Sequence, residues 1–325
     1  PEPSSLGAAL LPEVASNANP PFIDSKHVVF NNVAAPGNYN DDHVALYDMD
    51  TKTTTTLSDG KMAAMQHMRS KRGESEVVVF QQLTETVDND AINDENSLVK
   101  NQEILSKTII RSMFRQQDGT WKQFDVTADD GFTDQHPVVT IQDDGKAACV
   151  YQHGQMKKID VPSYVDPIMS YRLVGELQLR TFDGNTRRAP PTLFDIDADH
   201  QPAQYDLFMR GDTVLVGINM TDSKCASSTF TYASKPLDSP TVTYVDEPLK
   251  PLNFFMNRVG QNAVIAMLYE RPDSTRDVFV RTLAMNGRGD GRSGCDLGLS
   301  QSSPDRVKII CDRSDDNTND FAVLW

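Results

Sequence analysis

Asp195, Asp197 and Asp199 stand at alternate positions directly before His200. Alternating carboxylates in a turn are what a protein offers a hard cation, and calcium takes six to eight oxygens around a sharp turn. The segment lacks the glycine and closing glutamate of a helix–loop–helix calcium loop, so calcium is a candidate ligand here beside the plainer reading of a solvated turn. His136 precedes Pro137 much as His200 and Gln201 precede Pro202. The two histidines therefore hold similar places ahead of proline-marked strands, where both could line the mouth of one channel and touch a ligand. Arg288, Gly289 and Asp290 form an Arg-Gly-Asp triplet within the glycine-rich segment 286–294, the kind of exposed loop an adhesion receptor reads. No catalytic residue is assigned, since neither a Gly-x-Ser-x-Gly nucleophile turn nor a His-Glu-x-x-His metal pair occurs.

The chain's charge narrows the partners. Its 325 residues include 46 acidic and 31 basic ones, a formal net charge of −15. Such a field repels phosphate backbones and anionic lipid, which argues against nucleic acid. No apolar run approaches the roughly 18 residues of a membrane span, which argues against insertion. A protein or a glycan is the expected partner. The four cysteines, Cys149, Cys225, Cys295 and Cys311, contain no Cys-x-x-Cys pair, so a structural zinc site is not expected. Cys295 and Cys311 flank one predicted turn and are a candidate disulfide, while Cys149 reads as a buried thiol. Asn219, Met220 and Thr221 fit the glycosylation pattern.

The elements that position these residues repeat. A proline-marked strand at 136–142, the turn Asp143, Asp144, Gly145, and a β-forming strand at 146–152 make the clearest copy. Similar pairs occupy 201–219, 250–270 and 303–325, with weaker copies at 21–31 and 62–81. Two further strands follow most copies, joined by turns of Asp, Gly, Asn or Pro. Helical periodicity is confined to 97–107, read as a long loop with one short helix. A recurring four-strand unit must cover both faces of each sheet, and radial stacking does so while leaving only short edges. The expected fold is all-β, a β-propeller of about six four-stranded blades at 20–60, 61–131, 132–199, 200–249, 250–302 and 303–325. The last blade is incomplete, and 1–19 form a flexible leader.

The strand and turn of Leu46, Tyr47, Asp48, Met49, Asp50, Thr51 and Lys52, followed by Leu57, Ser58, Asp59 and Gly60, resemble those of TolB-type and WD-type propellers. The copies with a Pro-x-Val lead-in and an Asp-Gly-Lys-Ala turn resemble repeats of large secreted bacterial propeller proteins. The segment 116–121, with Asp118, Gly119 and Trp121, comes nearest to the Ser-x-Asp-x-Gly-x-x-Trp turn of sialidase-type propellers. It lacks the serine, and its tryptophan stands one residue too close, so a hairpin turn with a core-facing Trp121 is expected.

Together these features predict a non-catalytic scaffold, part of a larger secreted or cell-surface bacterial protein, that binds a protein or glycan. Its location would be extracellular or cell-surface, with the periplasm as the other compartment. The remainder of a longer polypeptide is a further expected partner. One alternative is a propeller-type glycoside hydrolase or lyase with carboxylates in a central channel. Another is a structural module of a larger assembly.

Overall fold

The computed structural model describes residues 22–23, 26–33, 39–87, 107–116, 118–159, 171–224, 227–259, 262–288, 294–297, 307–311 and 321–324. Regular structure there is β throughout, apart from one 3-10 turn at Tyr39–Asp41. The first blade consists of β1 (Phe22–Ile23), β2 (His27–Val33), β3 (Asp42–Asp48) and β4 (Thr53–Thr56), paired in chain order. The second holds β5 (Ala64–Arg72), β6 (Ser75–Leu83), β7 (Thr108–Arg115) and β8 (Trp121–Asp125). Blade three holds β9 (Thr133–Ile141), β10 (Ala147–Lys158), β11 (Tyr171–Phe182) and β12 (Thr192–Ile196). Blade four holds β13 (His200–Arg210), β14 (Thr213–Asp222), β15 (Ser227–Pro236) and β16 (Thr243–Glu247). The fifth holds β17 (Asn253–Val259), β18 (Asn262–Glu270), β19 (Arg276–Leu283) and β20 (Cys295–Asp296), and among the described residues β21 (Lys308–Cys311) and β22 (Phe321–Leu324) form a two-stranded sheet. Consecutive antiparallel four-stranded sheets, closing on an incomplete one, are the β-propeller architecture.

Two compact units divide the chain. Residues 1–70, 77–137 and 153–155 form the first, and 71–76, 138–152 and 156–325 the second. In the first, Val29, Val44 and Leu46 pack with Val78, Phe80 and Met113, and half-buried Trp121 covers their edge. In the second, Leu173, Leu177 and Leu179 pack with Leu207, Val214 and Val216. Phe208, Leu215 and Phe230 pack with Phe254, Met256 and Ile265. Val264, Ala266 and Leu268 pack with Val307 and Ile309. Second strands are covered on both faces, which explains their unbroken apolar runs: Val77, Val78, Val79 and Phe80 are all fully buried. Fourth strands meet water and lose that pattern, as the exposed threonines of β4 show.

A first strand has one edge without a strand partner, and a neighbouring blade's side chains satisfy its backbone. Gln204 on β13 takes the Phe254 N–H at 3.0 Å and donates to the Phe254 carbonyl. Asp206 accepts the Met256 N–H at 2.7 Å. In the first unit, Asn31 donates to the Ala64 carbonyl at 3.0 Å and Gln66 accepts the His136 N–H at 3.1 Å.

Aspartate and glycine make the hairpins. Asp118 accepts the Thr120 N–H at 2.9 Å beside left-handed Gly119 (φ 85°), so the sialidase-like segment is a hairpin turn. Asn219 is buried in β14 and donates to the Pro251 carbonyl, which removes it as a glycosylation acceptor. Cys295 is an exposed free thiol, so the Cys295–Cys311 disulfide does not form. The helix expected within 97–107 falls outside the described residues, except for Lys107.

Candidate active site

The chain crosses from blade two to blade three through residues 126–132, and this crossing builds a site within the first unit. Thr127 folds back on β7, where its hydroxyl oxygen accepts the Ile110 N–H at 2.9 Å. An Asp-Gly turn follows. Asp130 accepts the Phe132 N–H at 3.1 Å, and Gly131 supplies the left-handed residue (φ 82°) that a side chain would strain. The turn leaves Phe132 39% exposed. Its ring lies 5.0 Å from the His153 imidazole, centroid to centroid, with the planes at 41°.

Two residues on, β9 carries Asp134 out of water. Asp134 is 1% exposed, and its carboxylate lies 2.7 Å from Nδ1 of His153 on β10. Thr127 hydrogen-bonds the same carboxyl group. The backbone is held as firmly: the Thr108 hydroxyl donates to the Asp134 carbonyl at 2.6 Å and accepts from Gln81 at 3.2 Å. Loss of hydration pushes the Asp134 pKa above the usual carboxylate value. Hydrogen bonds from His153 and Thr127 oppose the shift, and the negative charge of Asp130 adds to it.

The His153 side chain is 19% exposed, so it is the member of the pair that meets solvent. A carboxylate behind an imidazole fixes its tautomer and orientation, because the bond at one ring nitrogen decides the state of the other. In the tautomer whose Nδ1–H donates to Asp134, Nε2 is the basic ring atom. The arrangement can take or give a proton beside an exposed aromatic face, with a second carboxylate, Asp130, in the same turn.

The expected site residues sit elsewhere or in other roles. His136 lies two residues past Asp134 in a left-handed conformation (φ 54°), one uncommon outside glycine. Its backbone N–H donates to Gln66, and desolvation lowers its imidazole pKa although the residue keeps an exposed surface. His200 is an exposed cross-strand partner of Asp222, with Nδ1 3.0 Å from Asp197 and Nε2 3.1 Å from Asp222. Bonds from Asp197 and Asp222 raise its pKa, opposite in direction to His136.

Asp197 closes a turn, and bonds from the His200 backbone, the His200 ring and the Asp199 backbone hold its carboxyl pKa down at about 2. Asp199 pairs with Lys224 at 2.6 Å, and Asp195 lies opposite Glu176 in the β11–β12 ladder. Among the described residues no three His, Cys, Asp or Glu side chains are grouped as a metal would need. Arg288 is exposed, with its N–H bonded to Asn286, while Gly289 and Asp290 lie outside the described residues.

Sequence reading missed Asp134, His153 and Phe132. Its strand ended at Gln152, one residue short of His153, and the available signal was an Asp-Gly turn followed by an aromatic residue and an aspartate.

No family model matches the chain, and no curated protein does. Among solved structures it is similar to a prolyl endopeptidase at 15% identity, covering 85% of this chain and 34% of that one, with a TM-score of 0.45. It is also similar to the Trypanosoma rangeli sialidase at 10% identity, over 87% of this chain and 46% of that one, with a TM-score of 0.46. A thermostable family-43 glycoside hydrolase matches at 10% identity over 88% of this chain and 93% of that one, with a TM-score of 0.38. The chain spans about a third to a half of the first two. Likeness at this level transfers no chemistry. These neighbours are named as enzymes, so the expectation of a non-catalytic scaffold finds no support among them, and the enzyme alternative replaces it as the reading proposed below. What this chain itself shows is the contact of buried Asp134 with His153, which the sequence reading had not assembled.

Proposed function

We propose that this chain is a carbohydrate-active enzyme of the propeller class, a glycoside hydrolase or lyase, with Asp134 and His153 as its acid–base pair. The observation that carries this reading is the 2.7 Å contact between a 1%-exposed carboxylate and a solvent-facing imidazole, beside exposed Phe132. Sugar rings present apolar faces that rest on exposed aromatic rings, so Phe132 is the proposed platform.

Hydrolysis is favoured by two carboxylates in one turn region, one of them pushed toward its neutral form, because glycosidases divide acid and base roles that way. Elimination is favoured by the imidazole being the exposed member, since a neutral nitrogen base suits removal of a proton beside a sugar carboxylate. A panel of neutral and uronate polysaccharides, assayed for new reducing ends and for unsaturated-ring absorbance, separates the two. Turnover of some polysaccharide, lost in Asp134→Asn, supports the proposal. Turnover of none, or turnover indifferent to that substitution, contradicts it.

An extracellular or cell-surface location belongs to the same proposal, as does a TolB- or WD-type origin for the repeat. Both agree with an acidic chain acting on polymers too large to enter a cell.

A further inference from the structure

A cavity of about 450 Å³ opens in the second unit where blades three and four meet. One wall is Leu179 and Thr181 of β11 with Pro190 and Pro191 ahead of β12. The other is Lys235 at the end of β15 with the turn from Leu237 to Pro240. Proline fixes its backbone, and three prolines line the cavity, so its shape is set before anything binds. Its volume falls in the usual range for small-molecule sites.

Its charge is unusual for so acidic a chain. Lys235 is 7% exposed, and its ammonium donates to the Pro236 and Ser239 carbonyls. Both of those partners are neutral, and the nearby carboxylate is that of Asp238. Arg188, on the opposite wall, donates to the Leu237 carbonyl at 2.8 Å and to Asp238 at 3.1 Å. Asp238 is thus engaged by Arg188, and it is largely in solvent. Desolvation first, and then the Arg188 charge, weaken Lys235's hold on its proton; Asp238 offsets part of this, and a bound anion would relieve the rest.

We propose that this cavity is a binding site for a small organic anion, a carboxylate or phosphate carried on a ring-sized body. The anion meets Lys235 and Arg188, and the ring lies against Pro190, Pro191 and Pro240. The proposal rests on residues of the second unit and takes nothing from Asp134.

Isothermal titration of the full chain with glucuronate, glucose 1-phosphate and glucose tests this. Binding of either anion with glucose silent, weakened about tenfold or more by Lys235→Met and by Arg188→Ala, is the expected result, in line with the loss of one charge-assisted contact. The ratio of the two anions names the head group. Binding of neither at millimolar concentration, equal binding of glucose, or unchanged binding in Arg188→Ala overturns the proposal. Arg188 is mostly exposed, so that variant decides the matter even if Lys235→Met fails to fold.

Discussion

Asp134 and His153 stand 19 residues apart in the chain and 2.7 Å apart in space, one at the start of β9 and the other on β10. The hairpin between them brings together a residue that the core desolvates and a residue that solvent reaches. Strand pairing alone thus places an acid and a base in contact. The second strand is long enough to return to the level where the first one began.

Phe132 offers the simplest test of the platform. Its ring is exposed and contacts His153, so Phe132→Ala should leave stability within about 0.5 kcal/mol of the parent. KM for the best polysaccharide should rise several-fold, with kcat less affected. A Phe132→Tyr variant should retain the parent KM. Steady-state kinetics with a denaturation curve for each variant checks both.

His67 predicts acid sensitivity. Burial holds its pKa down at about 4 from an ordinary 6.5, and Nδ1 bonds Asn31. The folded state favours neutral imidazole, so the unfolded chain binds more protons between these values. The associated stability is present above pH 6.5 and is lost as pH falls toward 4, by on the order of 3 kcal/mol at most. Urea midpoints at pH 7 and pH 5 should separate in the parent chain and converge in His67→Gln.

His200 predicts the opposite sign. Its pKa is raised by Asp197 first and by Asp222, so the protonated form is favoured in the fold. Any stability it adds is complete below the unfolded value and disappears as pH rises through the raised folded value. NMR titration of the His200 ring should give a pKa above 6.5, falling in Asp197→Asn. A value at or below 6.5 contradicts the two ion pairs.

Glu247 and Arg281 form a buried ion pair, and Arg281 also donates to the Tyr232 hydroxyl at 3.2 Å. Glu247 is 8% exposed. Glu247→Ala strands the guanidinium and should cost about 3 kcal/mol, whereas Glu247→Leu with Arg281→Met should recover much of it. Chemical denaturation of the single and double variants measures the difference.

The blade grammar was legible because strands and turns are local. The Asp143, Asp144, Gly145 turn, the buried run from Val77 to Phe80 and the Trp121 hairpin all follow from period, β-branching and turn chemistry. The site was not legible, because its parts come from three stretches of chain. Thr108, the 127–134 crossing and His153 meet only once β7, β9 and β10 are in place. Sequence spacing placed His136 and His200 in equivalent positions. The fold gives them opposite electrostatics, one desolvated and one flanked by carboxylates. The proline pattern that linked them marks the first strand of a blade, mid-strand in β9 and near the start in β13, and carries no information about what surrounds a side chain.

The most direct measurement is a double-mutant cycle on turnover with Asp134→Asn, His153→Ala and the pair together, each shown to be folded. If the two residues act as one proton-transfer unit, either single change should lower kcat by about 10²–10⁴-fold, and the double should fall little further. Single variants that retain parent kcat, or losses that multiply in the double, would contradict the account.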